Sequence, residues 1–355
     1  MPLNAICQVG LIGLGEVGQM HLEAYSACSH IHVVAAAEIN PDRLANVRSR
    51  YDFTGYLSIT DMLGAQKLDV VCVLTPASLH ELAACLCADA GVPTLCEKPL
   101  AHNSQAAVCI RDYFAAKNVP LSYGSSYRHL PAIIAARKLI SEGAIGQITL
   151  MRETIATGQG PTQQTPLNTA HYPTGGPGGT GMGLVDHGIH LLDIIPWLTG
   201  SPIVRATGRG NISGSPLAAE HATLTLANGA TAILIYEDGA WPTALPGEGM
   251  FSLGAGWDPD GPVPAGKWDP EPGTLHVHGT HGALRICHYA NALYLRDASG
   301  LRQIPLDGSP APAHFAAQLE AFAADLRAQR PPSSAPEDGI AALLILEKIY
   351  ASALL

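Results

Sequence analysis

The chain has 355 residues, too many for one ordinary hydrophobic core, so two domains are expected. At 47% hydrophobic and 14% charged it reads as globular, which excludes a disordered or low-complexity chain. Its net charge of −10, without a lysine- or arginine-rich block, argues against nucleic acid as the main partner.

The N-terminal MPLNAICQVGLIGLG has no basic n-region and no small-residue cleavage site. It reads as a first buried strand, Ala5–Leu11, and not as a signal peptide. The C-terminal GIAALLILEKIYASALL is broken by Glu347 and Lys348, so no bilayer span and no membrane partner are expected. A cytoplasmic location follows as the expectation.

The first strand runs into Gly13-Leu14-Gly15-Glu16-Val17-Gly18, a G-x-G-x-x-G pattern. A helical stretch to about Cys28 and a second apolar run, Ile31–Ala37, complete the β-α-β context of a dinucleotide site. Gly13 allows the tight turn, Gly15 lets a pyrophosphate reach the backbone, and Gly18 lets helix and strand pack closely. The helix N-terminus supplies free N–H groups and a positive dipole. Glu38 ends the second strand about 20 residues beyond the glycines, where an acid bonds ribose hydroxyls and repels a 2′-phosphate. This favours NAD over NADP. Arg43 either reaches a 2′-phosphate or is a solvated residue of the next helix.

The alternation continues. Asp69–Leu74 reads as a strand, Ser78–Asp89 as a helix, Val92–Cys96 as a strand, Ser104–Lys117 as a helix and Val119–Tyr123 as the last strand. Such a pattern implies a parallel sheet covered on both faces. Thr75 and Pro76 sit at a strand's C-terminal end, where open α/β sheets bind ligands. His80 either lines that crevice or is an ordinary helix residue. Cys96-Glu97-Lys98-Pro99 follows, and alone reads as an exposed turn. Seven of the eight cysteines fall in this first third without a C-x-x-C pair, so they are expected to be reduced and buried.

Ser125–Arg128 precedes a helix, Leu130–Glu142. Tyr127 and Arg128 either face a substrate, with the guanidinium gripping a carboxylate or phosphate, or Arg128 forms an inter-domain salt bridge. Thr149–Ala156 alternates as a strand and is expected to bring Arg152 near the same cleft. The Gly/Pro/Thr/Gln-rich loop Gly158–Gly183 is expected to cover the substrate, with His171 a contact. In GMGLVDHGIHLLD, Gly181–Asp193, a helix would put Asp186, His190 and Asp193 on one face. A His beside a carboxylate suits proton transfer at a secondary alcohol, although such a pair also serves as a solvated or capping pair.

Six further strand-like runs follow: Val204–Gly208, Ala222–Leu226, Ala230–Tyr236, Leu275–His278, Ala283–Cys287 and Ala292–Leu295. Their short turns suggest an antiparallel sheet, one face of which would serve a homodimer or homotetramer. His276, His278 and His281 lack an acidic or thiol partner nearby, so no metal is expected. Trp241, Trp257 and Trp268 in Asp238–Pro272 would stack on a sugar or, preferably, anchor a neighbouring subunit.

The glycine motif, the E-K-P at Glu97–Pro99, and Asp186, His190 and Asp193 within Met182–Asp193 stand in a familiar order and approximate spacing. They resemble those of the Gfo/Idh/MocA oxidoreductases, named for glucose–fructose oxidoreductase and inositol dehydrogenase. The tail also fits: Phe315–Arg330, a Pro-rich break, Asp338-Gly339 and a last helix to Ser352. The resemblance covers essentially the whole chain. It implies an α/β architecture: a Rossmann doubly wound parallel sheet over residues 1–124, then an α+β domain with a large, mostly antiparallel sheet over 125–355, for substrate binding and oligomerisation. It implies that Lys98, with Glu97 beside it in the cofactor set, stands between nicotinamide and substrate. There the ammonium would hydrogen-bond the reacting oxygen and depress the base's pKa. His190 matches the family's general base and Asp186 its partner or a substrate-binding carboxylate. The implied activity is NAD-dependent oxidation of a sugar, cyclitol or sugar-acid alcohol. Two alternatives stay open: a glycosidase-like enzyme with transient oxidation by held NAD, and a non-catalytic dinucleotide sensor.

Overall fold

The computed structural model describes residues 6–156, 183–209, 220–237, 274–288, 290–308 and 312–352. Its first part alternates strand and helix. The elements are β1 (Cys7–Ile12), α1 (Glu16–Ser26), β2 (Ile31–Ala37), α2 (Pro41–Arg48), β3 (Thr54–Tyr56), α3 (Ile59–Ala65), β4 (Val70–Val73), α4 (His80–Asp89), β5 (Thr94–Glu97), α5 (Ser104–Lys117) and β6 (Leu121–Gly124). All six strands are parallel, in the order β3-β2-β1-β4-β5-β6. The order reverses between β1 and β4, the switch point at which ligands enter such sheets. β4, β5 and β6 are buried along their whole length because crossover helices cover both faces. Side chains close the helix starts: Asn40 accepts from the Asp42 and Arg43 N–H groups, Ser58 from Asp61 and Asn103 from Ala106. The expected strands and helices fall within about two residues of these bounds. β3 and α3 are additions to the expected set.

The second part is built on eight strands: β7 (Ile148–Ala156), β8 (Ile203–Arg209), β9 (Glu220–Leu226), β10 (Thr231–Glu237), β11 (Thr274–Gly279), β12 (Gly282–Cys287), β13 (Ala292–Asp297) and β14 (Gly300–Gln303). Their order is β14-β13-β12-β11-β7-β10-β9-β8, antiparallel throughout except β7 beside β10. The expectation of a large, mostly antiparallel sheet holds. Alternation along β7 buries Met151, Glu153 and Ile155 and turns Arg152 and Thr154 the other way. Register carries the second face across the sheet through Thr223, Ile233, Arg152, His276, Arg285 and Tyr294. Two helices, α6 (Pro131–Ser141) and α7 (Ile189–Thr199), pack on each other, and α6 also packs on β12 and β13.

The segment expected to be one regular helix is not. Leu184–Gly188 forms a π-helical turn ahead of α7. Its cause lies far along the chain. Side chains at Gly183 and Gly188 would run into the Tyr236 ring, and the Leu184 N–H is taken by the Glu220 carboxylate at 2.8 Å. The glycines let the backbone lie on Tyr236, and the turn widens to i→i+5 bonding.

Two more helices close the described chain, α8 (Ala313–Arg327) and α9 (Pro336–Ser352). The chain forms two compact units, one of Met1–Ser126 with Pro312–Leu343 and one of Tyr127–Ala311 with Leu344–Leu355. A single cut after residue 124 leaves residues 312–343 with the second unit, whereas α8 packs on α1 in the first. Phe315, Leu319 and Phe322 join Leu11, Leu22, Tyr25 and Cys72 in one core. No described helix is long and apolar enough to cross a membrane. All eight cysteines are unbridged.

Candidate active site

In the first unit the glycine turn is shaped for a ligand's backbone approach. Gly13 adopts φ +94°, and a Cβ there would stand 2.9 Å from the Leu74 carbonyl oxygen. A Cβ on Gly18 would overlap the Gly13 carbonyl oxygen, so helix and turn touch there. At Gly15 the Cβ position has no heavy atom within 4 Å. α1 begins at this point without a side-chain cap, leaving backbone N–H groups for an anion. Glu16 and Val17 are exposed in its first turn, while Leu14 is buried. The Thr75 hydroxyl, just past β4, is buried and has no partner among the described residues. An open glycine face, an uncapped helix start and an unsatisfied hydroxyl at the switch point fit a dinucleotide.

Glu38 is buried and tied to that turn. One carboxylate oxygen accepts the Leu14 N–H at 2.9 Å; the other accepts from the Asn40 N–H at 2.8 Å and Arg43 Nη1 at 3.3 Å. Arg43 therefore neutralises Glu38, and the pair offers a 2′-phosphate no net positive charge. Each carboxylate oxygen accepts about two bonds, so the one holding Leu14 keeps capacity for a ribose hydroxyl.

Two expected cofactor contacts have other partners. His80 is buried, with Nε2 2.7 Å from the Thr75 carbonyl and Nδ1 2.9 Å from the Pro99 carbonyl. It ties the turn after β4 to the turn after β5, and burial pulls its pKa down against these carbonyls. Glu97 is buried as well. Its Oε1 lies 3.1 Å from His21 Nε2, and its Oε2 accepts the Lys98 N–H at 2.8 Å. His21 in turn meets the Tyr25 hydroxyl at 2.8 Å, one turn along α1. The Lys98–Pro99 peptide is cis, and the turn carrying Lys98 is held by His21 on one side and His80 on the other.

In the second unit the π-helical turn and α7 carry Asp186, His187, His190 and Asp193. His190 is buried and stacks on Tyr127, ring centroids 3.7 Å apart and planes within 6°. The Tyr127 hydroxyl lies 3.3 Å from His187 Nδ1, and His187 Nε2 lies 3.0 Å from Glu153 Oε2. Tyr236 donates to the same oxygen at 2.9 Å. His288 Nε2 stands 3.6 Å from Glu153 Oε1. Burial opposes ionisation of Glu153, yet the His187 and His288 imidazoles and the Tyr236 hydroxyl hold its carboxyl below the ordinary value. Burial pulls His288 to about 4, so it is neutral near pH 7.

Arg128, Arg152 and His171 complete the set of expected site residues. Arg128 is buried within this unit and grips both oxygens of Asp193, through Nε at 3.0 Å and through Nη2, beneath Trp197. Breaking a buried pair leaves an uncompensated charge. Asp193→Asn should therefore destabilise the fold by about 3–5 kcal/mol, read as a lowered urea midpoint; an unchanged midpoint would refute it. Strand alternation puts Arg152 on the opposite sheet face from Glu153. His171 and the three loop tryptophans lie outside the described residues.

Glu153, His187, Tyr236, His288, His21 and Tyr25 escaped the sequence reading. Glu153 left one signal, an acid on the buried face of a strand between Met151 and Ile155. Such a group requires partners.

Residues 7–125 match the family model described as an oxidoreductase family, NAD-binding Rossmann fold. Residues 133–285 match the GFO/IDH/MocA C-terminal domain. Levoglucosan dehydrogenase of Pseudarthrobacter phenanthrenivorans is 32% identical over 202 residues, 54% of this chain and 51% of that protein. Inositol 2-dehydrogenase of Corynebacterium glutamicum is 28% identical over 205 residues, 56% of this chain and 55% of that one. The chain thus spans about half the length of these curated relatives. A levoglucosan dehydrogenase structure with NADH and levoglucosan superposes with TM-score 0.77 at 22% identity, covering 98% of this chain and 97% of that one. Aldose-aldose oxidoreductase from Caulobacter crescentus gives TM-score 0.78 at 21%, covering 98% of each. These two likenesses establish the fold.

Proposed function

The chain belongs to the Gfo/Idh/MocA oxidoreductase family, and on that premise we propose that it is an NAD-dependent dehydrogenase interconverting a secondary alcohol and ketone of a sugar, cyclitol or sugar acid. The observation that carries this reading is the joint presence of Lys98, Asp186 and His190 in a chain whose glycine turn is open at Gly15. A dinucleotide sensor has no need of a proton acceptor. The relatives named for levoglucosan and inositol support the substrate class.

NAD, when bound, supplies the hydride acceptor. Gly13 to Gly18 would hold its pyrophosphate at the start of α1, Glu38 its ribose, and Thr75 and Pro76 the edge of its crevice. Lys98 donates a hydrogen bond to the substrate oxygen and steadies the developing alkoxide. His190 accepts the hydroxyl proton, its ring plane held by Tyr127, and Asp186 favours the charged imidazole or binds substrate. We assign no anion-gripping role to Arg128, whose fork is taken by Asp193. The sheet face bearing Ile233, His276 and Tyr294 is the proposed surface for a homodimer or homotetramer.

The test is NADH formation followed by absorbance against a panel of sugars, cyclitols and sugar acids, with NADP run in parallel. Stoichiometric NADH with one class is expected, with NADP weaker because the Arg43 charge is already spent on Glu38 and leaves none for a 2′-phosphate. Silence across the panel despite confirmed NAD binding would overturn the reading in favour of transient internal oxidation or a sensor.

A further inference from the structure

Three buried ligand-type side chains converge in the second unit, and the proposed reaction uses none of them. They come from distant parts of the chain: Glu153 from the middle of β7, His187 from the π-helical turn and His288 from just past β12. The side chains of Glu153 and His288 are fully buried and that of His187 is 11% exposed. The two carboxylate oxygens face different imidazoles, Oε2 toward His187 Nε2 at 3.0 Å and Oε1 toward His288 Nε2 at 3.6 Å. One nitrogen or oxygen from each residue lies within 4.8 Å of the other two. A separation of 3.6 Å is too long for a hydrogen bond. It is close to the spacing of two donor atoms around a cation bound at about 2.0–2.2 Å.

The surroundings match that use. Two imidazoles and a carboxylate without thiolate are a donor set for Zn²⁺, Mn²⁺ or Fe²⁺. Ligating groups are usually oriented by outer partners, and here Tyr236 donates to Glu153 while the Tyr127 hydroxyl meets the second nitrogen of His187. We propose that Glu153, His187 and His288 form a binding site for one divalent transition-metal ion, with Zn²⁺ the first candidate. The ion fastens β7 and the end of β12 to the π-helical turn that carries Asp186, and so acts as a positioning element. This departs from the expectation of no metal, which weighed the cysteines and His276, His278 and His281. It rests on no part of the dehydrogenase reading.

The test uses the full chain without an affinity tag. Elemental analysis should find about one equivalent of metal per chain. Stripping with a chelator should lower the thermal midpoint, reloading with Zn²⁺ should restore it, and Co²⁺ loading should give visible ligand-field bands. Glu153→Gln and His288→Asn, checked for folding by circular dichroism, should weaken Co²⁺ binding at least about tenfold. The partly exposed group of Cys28, His30 and Glu320 supplies the control: Cys28→Ala should leave binding unchanged. Absence of metal, with no midpoint shift or bands on adding Zn²⁺, Mn²⁺ or Co²⁺, overturns the proposal. Loss of binding in Cys28→Ala but not in the other two variants also overturns it. Should both site variants fail to fold, stripping and reloading the unaltered chain decides the matter alone.

Discussion

Replacing His190 by glutamine is expected to lower turnover by about 10²–10⁴-fold, the usual worth of a positioned base, while NAD affinity stays within about twofold. The separation follows from where the groups reside. The glycine turn and Glu38 belong to the first unit, His190 to the second. Glutamine keeps a polar, ring-sized group against Tyr127, so cavity formation is limited compared with alanine. The measurements are steady-state NADH formation on the substrate the panel identifies, its pH profile, and calorimetric titration with NAD. Loss of the base should remove the acid limb of the pH profile along with the rate. An unaltered rate, or an unaltered acid limb, would take His190 out of the mechanism.

The second large effect separates two glycines of one motif. Gly15→Ala places a methyl group in open space at φ −62°, so the protein should fold with an unchanged thermal midpoint. The same methyl occupies the place a pyrophosphate would take, so NAD affinity should fall by at least about tenfold. Gly18→Ala drives its methyl into the Gly13 carbonyl, a backbone atom that cannot rotate away. That variant should lose NAD affinity and also about 1–3 kcal/mol of stability through overpacking. Thermal melts with and without NAD read both quantities at once. Normal NAD binding by Gly15→Ala would refute a backbone-cradled pyrophosphate at this turn.

The nucleotide half of the fold was legible because its signals are local. Glycines, strand runs and helix caps stand within a few residues of what they shape, from Gly13 to Asn103. β3 and β14 were missed for want of length, at three and four residues, and β14 is exposed along its whole length. The π-helical turn was hidden for another reason. Its determinants, Tyr236 and Glu220, lie 53 and 36 residues from the residues they press on or bond, Gly183 and Leu184. The candidate site divides in the same way. Lys98, Asp186 and His190 are proposed from a recognisable spacing, whereas no spacing pairs Glu153 with His288, which meet through the strand order of the second sheet. The partners of Glu97 and His80, His21 and the Pro99 carbonyl, lie far from them in sequence, where no local pattern points.

The return of residues 312–343 to the first unit bears on how the polypeptide matures at the ribosome. The strands β1 to β6 emerge well before Phe315, Leu319 and Phe322, which finish their core. Until then the α1 flank of that core stays uncovered, an apolar surface inviting chaperone capture or self-association. A nascent chain stalled before α8 would thus expose its nucleotide-binding half to degradation.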